Sequence, residues 1–148
     1  MKKFKTGLTA IVMLFATSAF AMGGENVSAK VKAAFENDFS KAKKVNWEKA
    51  DDFYFVSFTL NEVNVDAAYN ESGELVGTSR RISAELMPLS ISLAIAEKYA
   101  DYQLDKTAIE LTYEGLTRYY INVENKSQVF KLKCYSNGTI EVERKIKK

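Results

Sequence analysis

The order of predicted secondary structure repeats along this chain, and the repetition limits the folds that the chain can adopt. Apolar residues at spacings of three and four predict a helix, and four segments of strand-like alternation follow it. The same order then occurs again, so that Phe35 and Phe39 correspond to Ile95 and Tyr99. The offset grows from about 60 at the helices to about 65 at the strands, as expected if hairpin lengths changed between two copies of one unit.

The pattern gives approximate bounds for both copies. Val31 and Phe35 lie on the buried stripe of a helix over residues 28–39, and predicted strands follow at 45–49, 53–60, 63–69 and 74–82. In the second copy Pro88 is placed to open a helix, because a first-turn residue needs no backbone N–H, and strands are predicted at 108–113, 116–123, 129–135 and 139–146. The expected fold is α+β: repeats at residues 22–85 and 86–148, with their helices on one face of a curved antiparallel sheet. Pairing two units of roughly 60 residues enlarges a core that would be marginal in either alone.

The first 21 residues are typical of a secretory signal peptide. They contain three lysines within the first five positions, an apolar stretch over residues 7–15 and an Ala-Phe-Ala cleavage site at 19–21. The apolar stretch is shorter than the ~20 residues that a membrane span needs. We therefore expect cleavage before Met22 and a soluble mature protein, without a membrane span, in the periplasm or outside the cell.

The charge balance argues against a nucleic-acid partner. The whole chain has 21 basic and 19 acidic residues, but removal of the three signal-peptide lysines leaves 18 basic residues against 19 acidic ones. A nucleic-acid-binding protein usually carries a concentrated basic patch or stripe, which this interspersed pattern does not favour.

No combination of residues predicts catalysis. The chain has no histidine, which removes the commonest general base and metal ligand, and it has no phosphate- or dinucleotide-binding glycine motif. Asp51 and Asp52 fit a hairpin turn, while Glu141 and Glu143 fit a charged sheet edge that resists aggregation. We expect neither an enzyme nor a cofactor or metal site.

Cys134 is the single cysteine, so the chain cannot form an internal disulfide. It lies in an alternating strand-like segment, where a buried cysteine behaves as a small apolar residue. The alternative is an accessible thiol.

Strand alternation divides the aromatic residues between two faces of the predicted sheet. Tyr119 and Ile121 form the apolar side toward the helices, which places Arg118 and Tyr120 on the opposite side. Aromatic residues with arginine inside a charged rim are typical of protein-binding surfaces, whereas cross-strand aromatic pairing that only stabilises the sheet is the alternative. The candidate binding residues on the side away from the helices are Phe53, Phe55, Tyr69, Arg118, Tyr120, Lys131, Lys133 and Tyr135.

The ordered pattern resembles the β-lactamase-inhibitor-like, PepSY-like proteins exported by Gram-negative bacteria. The residues that carry the resemblance are Phe35-x3-Phe39, Trp47, Tyr54-x-Val56-x-Phe58, Ala68-Tyr69-x3-Gly73-x-Leu75, and Leu86-x-Pro88 with Ile91, Ile95 and Tyr99. They span nearly the whole predicted mature chain. The resemblance implies a curved antiparallel sheet backed by helices, and a role in binding or inhibiting other exported proteins.

Two functions remain open at this stage. The first is a monomeric periplasmic module that binds or inhibits another exported protein through the open sheet face. The second is a sensor of a small molecule or an envelope glycan, since aromatic faces also stack sugars and apolar ligands.

Overall fold

The computed structural model describes residues 26–148, so the predicted signal peptide and its cleavage site lie outside the described residues. Within that range the fold is α+β, as predicted, with two α-helices and a nine-stranded antiparallel sheet. The elements are α1 (Ala29–Asp38), β1 (Lys43–Ala50), β2 (Phe53–Leu60), β3 (Val63–Asn70), β4 (Leu75–Ser83), a 3-10 turn (Ala84–Leu86), α2 (Leu89–Lys98), β5 (Gln103–Leu104), β6 (Thr107–Tyr113), β7 (Leu116–Glu124), β8 (Gln128–Tyr135) and β9 (Ile140–Lys147). The strand order is β1-β2-β3-β4-β6-β7-β8-β9, and β5 pairs with β7.

The described residues form two compact units. The first unit comprises residues 26–62 with Asp66–Leu75 and contains α1, while the second comprises Val63–Val65 with Val76–Lys148 and contains α2. The origin of the chain as two copies, bounded at 22–85 and 86–148, stays a prediction.

The two helices begin in different ways. Ser28 caps α1, because its Oγ accepts a hydrogen bond from the backbone N–H of Val31 at 3.3 Å. Pro88 occupies the corresponding cap position of α2, and its carbonyl accepts from the N–H groups of Ile91 and Ser92. Proline is suited to this position because its fixed φ leads into the helix and no N–H is lost from the ladder.

The core of the first unit is an aromatic cluster around Phe35 on α1. The ring centroid of Phe35 lies 5.2 Å from that of Trp47, 5.1 Å from that of Phe58 and 6.4 Å from that of Tyr69. Phe35 is buried, as predicted for the helix stripe, and Trp47 is buried beside it. Phe39 contacts the same cluster but is only half-buried, because it caps the end of the helix instead of lying under it.

The core of the second unit packs α2 against its strands. Ile91, Ile95 and Ile121 are buried there, which confirms their predicted positions. Tyr99, which the sequence pattern matches with Phe39, is likewise half-buried at the end of its helix. The buried members are Ile82, Ala84, Met87, Ile91, Ile95, Ala108, Tyr119, Ile121, Val123, Leu132 and Cys134, and they are flanked by Tyr99, Tyr102, Phe130 and Ile140.

Cys134 is fully buried in this core, so the interpretation of it as a small apolar residue is confirmed. Burial raises the pKa of its thiol to about 11. A thiol in this state is a poor nucleophile, because it is the thiolate that reacts.

The pairing of β7 with β8 fixes the faces of the second unit. Tyr119 pairs with Cys134 and therefore faces α2, whereas Tyr120 pairs with Lys133 on the opposite side. This agrees with the predicted division of faces. We use "open face" for the side of β6–β9 that is opposite α2.

Tyr69 was assigned to the side away from the helix, and the structure contradicts that placement. Its ring lies against Phe35 and Trp47, it has no exposed area, and its hydroxyl donates to Asp38 on α1 at 2.8 Å. The prediction matched Tyr69 with Tyr135, a shift of one residue from the offset that links Tyr54 to Tyr119. Because side chains alternate along a strand, a slip of one residue moves each side chain to the other face.

Candidate functional site

The open face of the second unit brings five of the predicted site residues together on two neighbouring strands. Arg118 pairs in register with Tyr135, and Tyr120 pairs with Lys133. Two residues further along these strands, Lys131 pairs with Asn122, and both lie on the open face. These residues are adjacent because rows of an antiparallel sheet repeat every second residue along each strand.

Two ion pairs link β8 with the last strand in the sheet order, β9. The Nζ of Lys131 lies 3.0 Å from Glu143, and that of Lys133 lies 3.8 Å from Glu141. The hydroxyl of Tyr135 donates to Glu141 at 2.9 Å. Partly exposed ion pairs of this kind add little stability, but together they hold a charged border beside the tyrosines.

The two lysines also lie over aromatic rings. Lys131 is 5.4 Å from the ring centroid of Tyr120, and Lys133 is at the same distance from that of Tyr135. Cation–π contacts of this geometry are worth about 0.5–1 kcal/mol at exposed sites. They restrict the tyrosine rings before any ligand arrives.

Tyr120 faces away from the helix but is only 4% exposed, so the expectation that it is solvent-facing is wrong. Lys131 on β8 covers one side of its ring. Burial is the main reason that the pKa of Tyr120 is raised to about 12; the nearby Glu143 raises it further, and Arg118 opposes the change. The hydroxyl therefore stays protonated at neutral pH and can donate a hydrogen bond.

Arg118 is the exceptional residue of the open face. It is half-buried, and its Nε and Nη1 are buried without a hydrogen-bond partner among residues 26–148. Its partners in register are Leu111 and Tyr135, neither of which carries a charge. Leaving two buried guanidinium nitrogens unpaired is costly, and such groups in folded proteins call for an explanation.

The open face also contains apolar residues that the sequence interpretation missed. Leu111 pairs with Arg118 and is 2% exposed, while Leu116 begins β7 and is 59% exposed. Tyr113 pairs with Leu116 and completes this end of the face. Alternation along β6, combined with the β6–β7 turn at Glu114-Gly115, was the signal that would have placed them here.

A small cavity lies where the strand paired with β7 changes from β6 to β5. β7 pairs with β6 as far as Tyr120 and with β5 from Val123 onward. The cavity has a volume of about 150 Å³. Across it, the side-chain amide of Asn122 donates to Asp105 at 2.9 Å, and Arg81 and Lys131 contribute positive charge.

The remaining predicted site residues belong to the first unit. Phe53 is half-buried and its ring centroid lies 6.4 Å from that of Phe55. Phe55 is 8% exposed, so it too is not the solvent-facing residue that was predicted. Two residues after Phe55 on the same strand, Ser57 donates to Asp66 on β3 at 2.5 Å. Burial raises the pKa of Asp66, and the hydrogen bond from Ser57 opposes that rise.

Metal and membrane features can be stated for the described residues. Within residues 26–148, no group of three or more histidine, cysteine, aspartate or glutamate side chains could hold a metal ion. Over the same residues, no helix has both the length and the apolar character needed to cross a membrane.

Solved structures of Bacteroides proteins resemble this fold. A DUF2874 family protein from Bacteroides ovatus has a TM-score of 0.69 at 18% identity, covering 84% of this chain and 89% of that chain. A BLIP-like protein from Bacteroides fragilis has a TM-score of 0.67 at 17% identity, covering 82% and 87%. A Bacteroides eggerthii protein described as periplasmic has a TM-score of 0.68 at 16% identity, covering 82% and 88%.

No protein-family model and no curated protein matches the chain. The structural matches fit the β-lactamase-inhibitor-like part of the resemblance at the level of fold, and the PepSY-like part stays a prediction. The chain therefore has a fold similar to that of BLIP-like and DUF2874 family proteins of Bacteroides.

Proposed function

We propose that this chain is an exported periplasmic module that binds another exported protein through the open face of its second unit. The observation that carries the proposal is Arg118, a half-buried arginine with two unpaired buried nitrogens, placed among tyrosines and an exposed leucine. The residues proposed to make contact are Arg118, Lys131, Lys133 and Tyr135, while the buried Tyr120 lies beneath Lys131.

The composition of this face supports a protein partner. Tyrosine and arginine are enriched at the centre of protein interfaces, where they contribute most of the binding energy, and charged residues surround them. Here Tyr135 and Arg118 are neighbours, and the lysine–glutamate pairs of β8 and β9 border them. Because the rings already have fixed neighbours, binding would cost less side-chain entropy than on a mobile surface.

Arg118 suggests what the partner supplies. A carboxylate that reaches the guanidinium would form charge-assisted hydrogen bonds, which are stronger than neutral ones. It would also remove the cost of leaving the buried nitrogens unpaired. We therefore propose that an acidic side chain of the partner enters the face at Arg118.

A small-molecule or envelope-glycan sensor is the second candidate, and the cavity beside Tyr120 is the observation that favours it. The cavity offers Arg81, Asp105 and Asn122 as polar contacts. Its volume of about 150 Å³ is smaller than the roughly 300–1,000 Å³ of ordinary ligand pockets, which is better suited to one side chain of a protein partner.

Site-specific photo-crosslinking in intact cells tests the proposal. A crosslinking amino acid at Tyr135 on the open face should capture one protein reproducibly, and the same amino acid at Glu36, which is exposed on α1, should not. The captured protein is then purified, and its binding to the wild type and to Arg118→Ala is compared. Equal capture at both positions, or unchanged affinity of Arg118→Ala, would refute the proposed face.

A further inference from the structure

A further cavity lies in the first unit, where the chain enters β1 and turns from β2 into β3. Its volume is about 500 Å³, which is within the roughly 300–1,000 Å³ of ordinary ligand pockets. The residues that line it are Lys41, Lys43, Lys44, Thr59, Asn61 and Glu62. We call it the lysine cavity.

A bulge in β1 brings two adjacent lysines into this cavity. The three steps along β1 from Lys43 to Asn46 pair with only two steps along β2, so β1 has one extra residue here. Lys44 lies in this bulge with a φ of 54°, which residues with a side chain adopt only at a cost. Adjacent side chains of a regular strand point to opposite faces, whereas Lys43 and Lys44 line the same cavity.

The local fold does not require these lysines. The turn that follows α1 recurs after α2, with a backbone hydrogen bond from Ala42 to Phe39 in one and from Tyr102 to Tyr99 in the other. At the positions of Lys41, Lys43 and Lys44, the second unit has Asp101, Gln103 and Leu104. The concentration of lysines in the first unit therefore needs an explanation other than the turn and the strand that it enters.

The lysines of the cavity lack acidic partners. None of the three forms an ion pair within residues 26–148. Glu62 is the one carboxylate among the lining residues, so three lysines and one glutamate give the lining a net charge of +2. Like charges held close together repel one another, and an anion bound between them would remove that repulsion.

We propose that the lysine cavity binds a small phosphate monoester that also carries hydroxyl groups, such as a sugar phosphate. A phosphate monoester has a charge of about −1.5 to −2 at pH 7, which complements the +2 of the lining. The lysines hold the phosphate oxygens as point charges. Asn61 and Glu62, in the turn after β2, supply the amide and carboxylate groups that bind hydroxyls.

The lining favours a small ligand over a protein. Lysine is depleted at the centres of protein interfaces, where aromatic residues and arginine are enriched instead. The six lining residues include three lysines but no aromatic residue and no arginine. This site is separate from the open face, and the proposal does not depend on the proposed binding of another protein.

Amide chemical-shift titration of the ¹⁵N-labelled mature chain with glucose 6-phosphate tests the proposal. Shifts should centre on residues 41–44 and 59–62, with a dissociation constant on the order of 0.1–1 mM. Glucose at the same concentrations should leave these amides unshifted, because it has no charge for the lysines to bind. Inorganic phosphate should bind at least about fivefold more weakly, because it has no sugar hydroxyls for Asn61 and Glu62 to bind.

Two triple variants separate this site from the overall charge of the protein. Lys41→Gln with Lys43→Gln and Lys44→Asn should raise the dissociation constant at least about tenfold, and asparagine at position 44 tolerates the positive φ of the bulge. Lys98→Gln with Lys106→Gln and Lys126→Gln removes the same charge from exposed positions of the second unit and should leave the constant unchanged.

Three outcomes would overturn the proposal: no shifts at the cavity up to about 10 mM glucose 6-phosphate, equally tight binding of inorganic phosphate, or equal weakening by the two triple variants. Sedimentation with phosphatidic acid vesicles distinguishes a phosphate monoester on a lipid. Lysine-dependent vesicle binding that glucose 6-phosphate does not compete would assign the cavity to a lipid headgroup and overturn the free sugar phosphate. Arg118→Ala should leave glucose 6-phosphate binding unchanged, so failure of the binding-face proposal is separable from failure of this one.

Discussion

Replacing Arg118 with methionine should stabilise the free protein. Methionine keeps a long flexible side chain beside Leu111 and Tyr135 but removes the charge and the two buried donors without partners. Each unsatisfied buried donor costs about 1–3 kcal/mol, and the exposed part of the half-buried side chain reduces the benefit of removing it. We expect the free energy of unfolding to increase by about 1–2 kcal/mol.

The matched control is Arg80→Met on β4. The Nε of Arg80 donates to Glu110 at 2.6 Å, so this arginine is paired and its side chain is 52% exposed. Removing it should decrease the free energy of unfolding by about 0.2–1 kcal/mol. The free energy of unfolding should therefore increase in Arg118→Met and decrease in Arg80→Met.

Urea titration at pH 7, followed by circular dichroism, measures both variants. With an unchanged m-value, Arg118→Met should shift the midpoint upward and Arg80→Met downward. A loss of more than about 0.5 kcal/mol in Arg118→Met would refute the reasoning, because the guanidinium would then be well satisfied in the free protein. Arg118 would then have no unpaired nitrogens for a partner's carboxylate to bind.

Three further predictions concern export, the core and the buried thiol. N-terminal sequencing of the periplasmic fraction should give Met22, and a full-length cytoplasmic product would contradict export. Phe35→Ala should cost about 3–5 kcal/mol in urea titration, and a loss under about 1 kcal/mol would contradict its central place in the first unit. In the folded protein the pKa of Cys134 is raised to about 11. The buried neutral thiol therefore contributes fully to the free energy of unfolding below about pH 8.5, and this contribution declines as pH rises toward 11. Cys134→Ala should therefore flatten the alkaline fall in stability, and an unchanged slope between pH 9 and 11 would refute this.

Periodicity was sufficient to predict the order of the elements. Apolar spacing placed both ends of the first helix and the start of the second within a residue of those observed, and turn residues such as Gly73 and Gly138 separated the strands. Both glycines have positive φ, which a turn residue with a side chain adopts only with strain. The two-residue strand β5 was missed, because a segment that short has no period to detect.

Alternation predicted the face of a strand residue more reliably than its exposure. Arg118 and Tyr120 lie on the predicted side, yet Tyr120 is buried because Lys131 of the neighbouring strand covers it. That cover depends on register and on the conformation of a long side chain, which a single sequence does not contain. The unpaired nitrogens of Arg118 could not be predicted for the same reason.

Tyr69 was misplaced for a different reason. The prediction matched Ala68-Tyr69 with Cys134-Tyr135, which aligned the two predicted copies with a shift of one position. Aligning Gly73 with Gly138 would have matched Tyr69 with Cys134. Both residues face the helix of their own unit in the structure. At this position the turn glycines gave the correct face for Tyr69, and the hydrophobic pattern did not.

The most direct test of the proposed binding face is the affinity of Tyr135→Ala for the protein captured by crosslinking, measured by calorimetry beside its stability. Tyr135 is partly exposed beside Arg118 at the end of β8, so its truncation should change the free energy of unfolding by less than about 1 kcal/mol. Loss of an interface anchor should weaken binding by at least about 2 kcal/mol, or roughly 30-fold, whereas Glu36→Ala on α1 should leave binding unchanged. If Tyr135→Ala binds the captured protein with wild-type affinity, the open face of the second unit is not the binding surface.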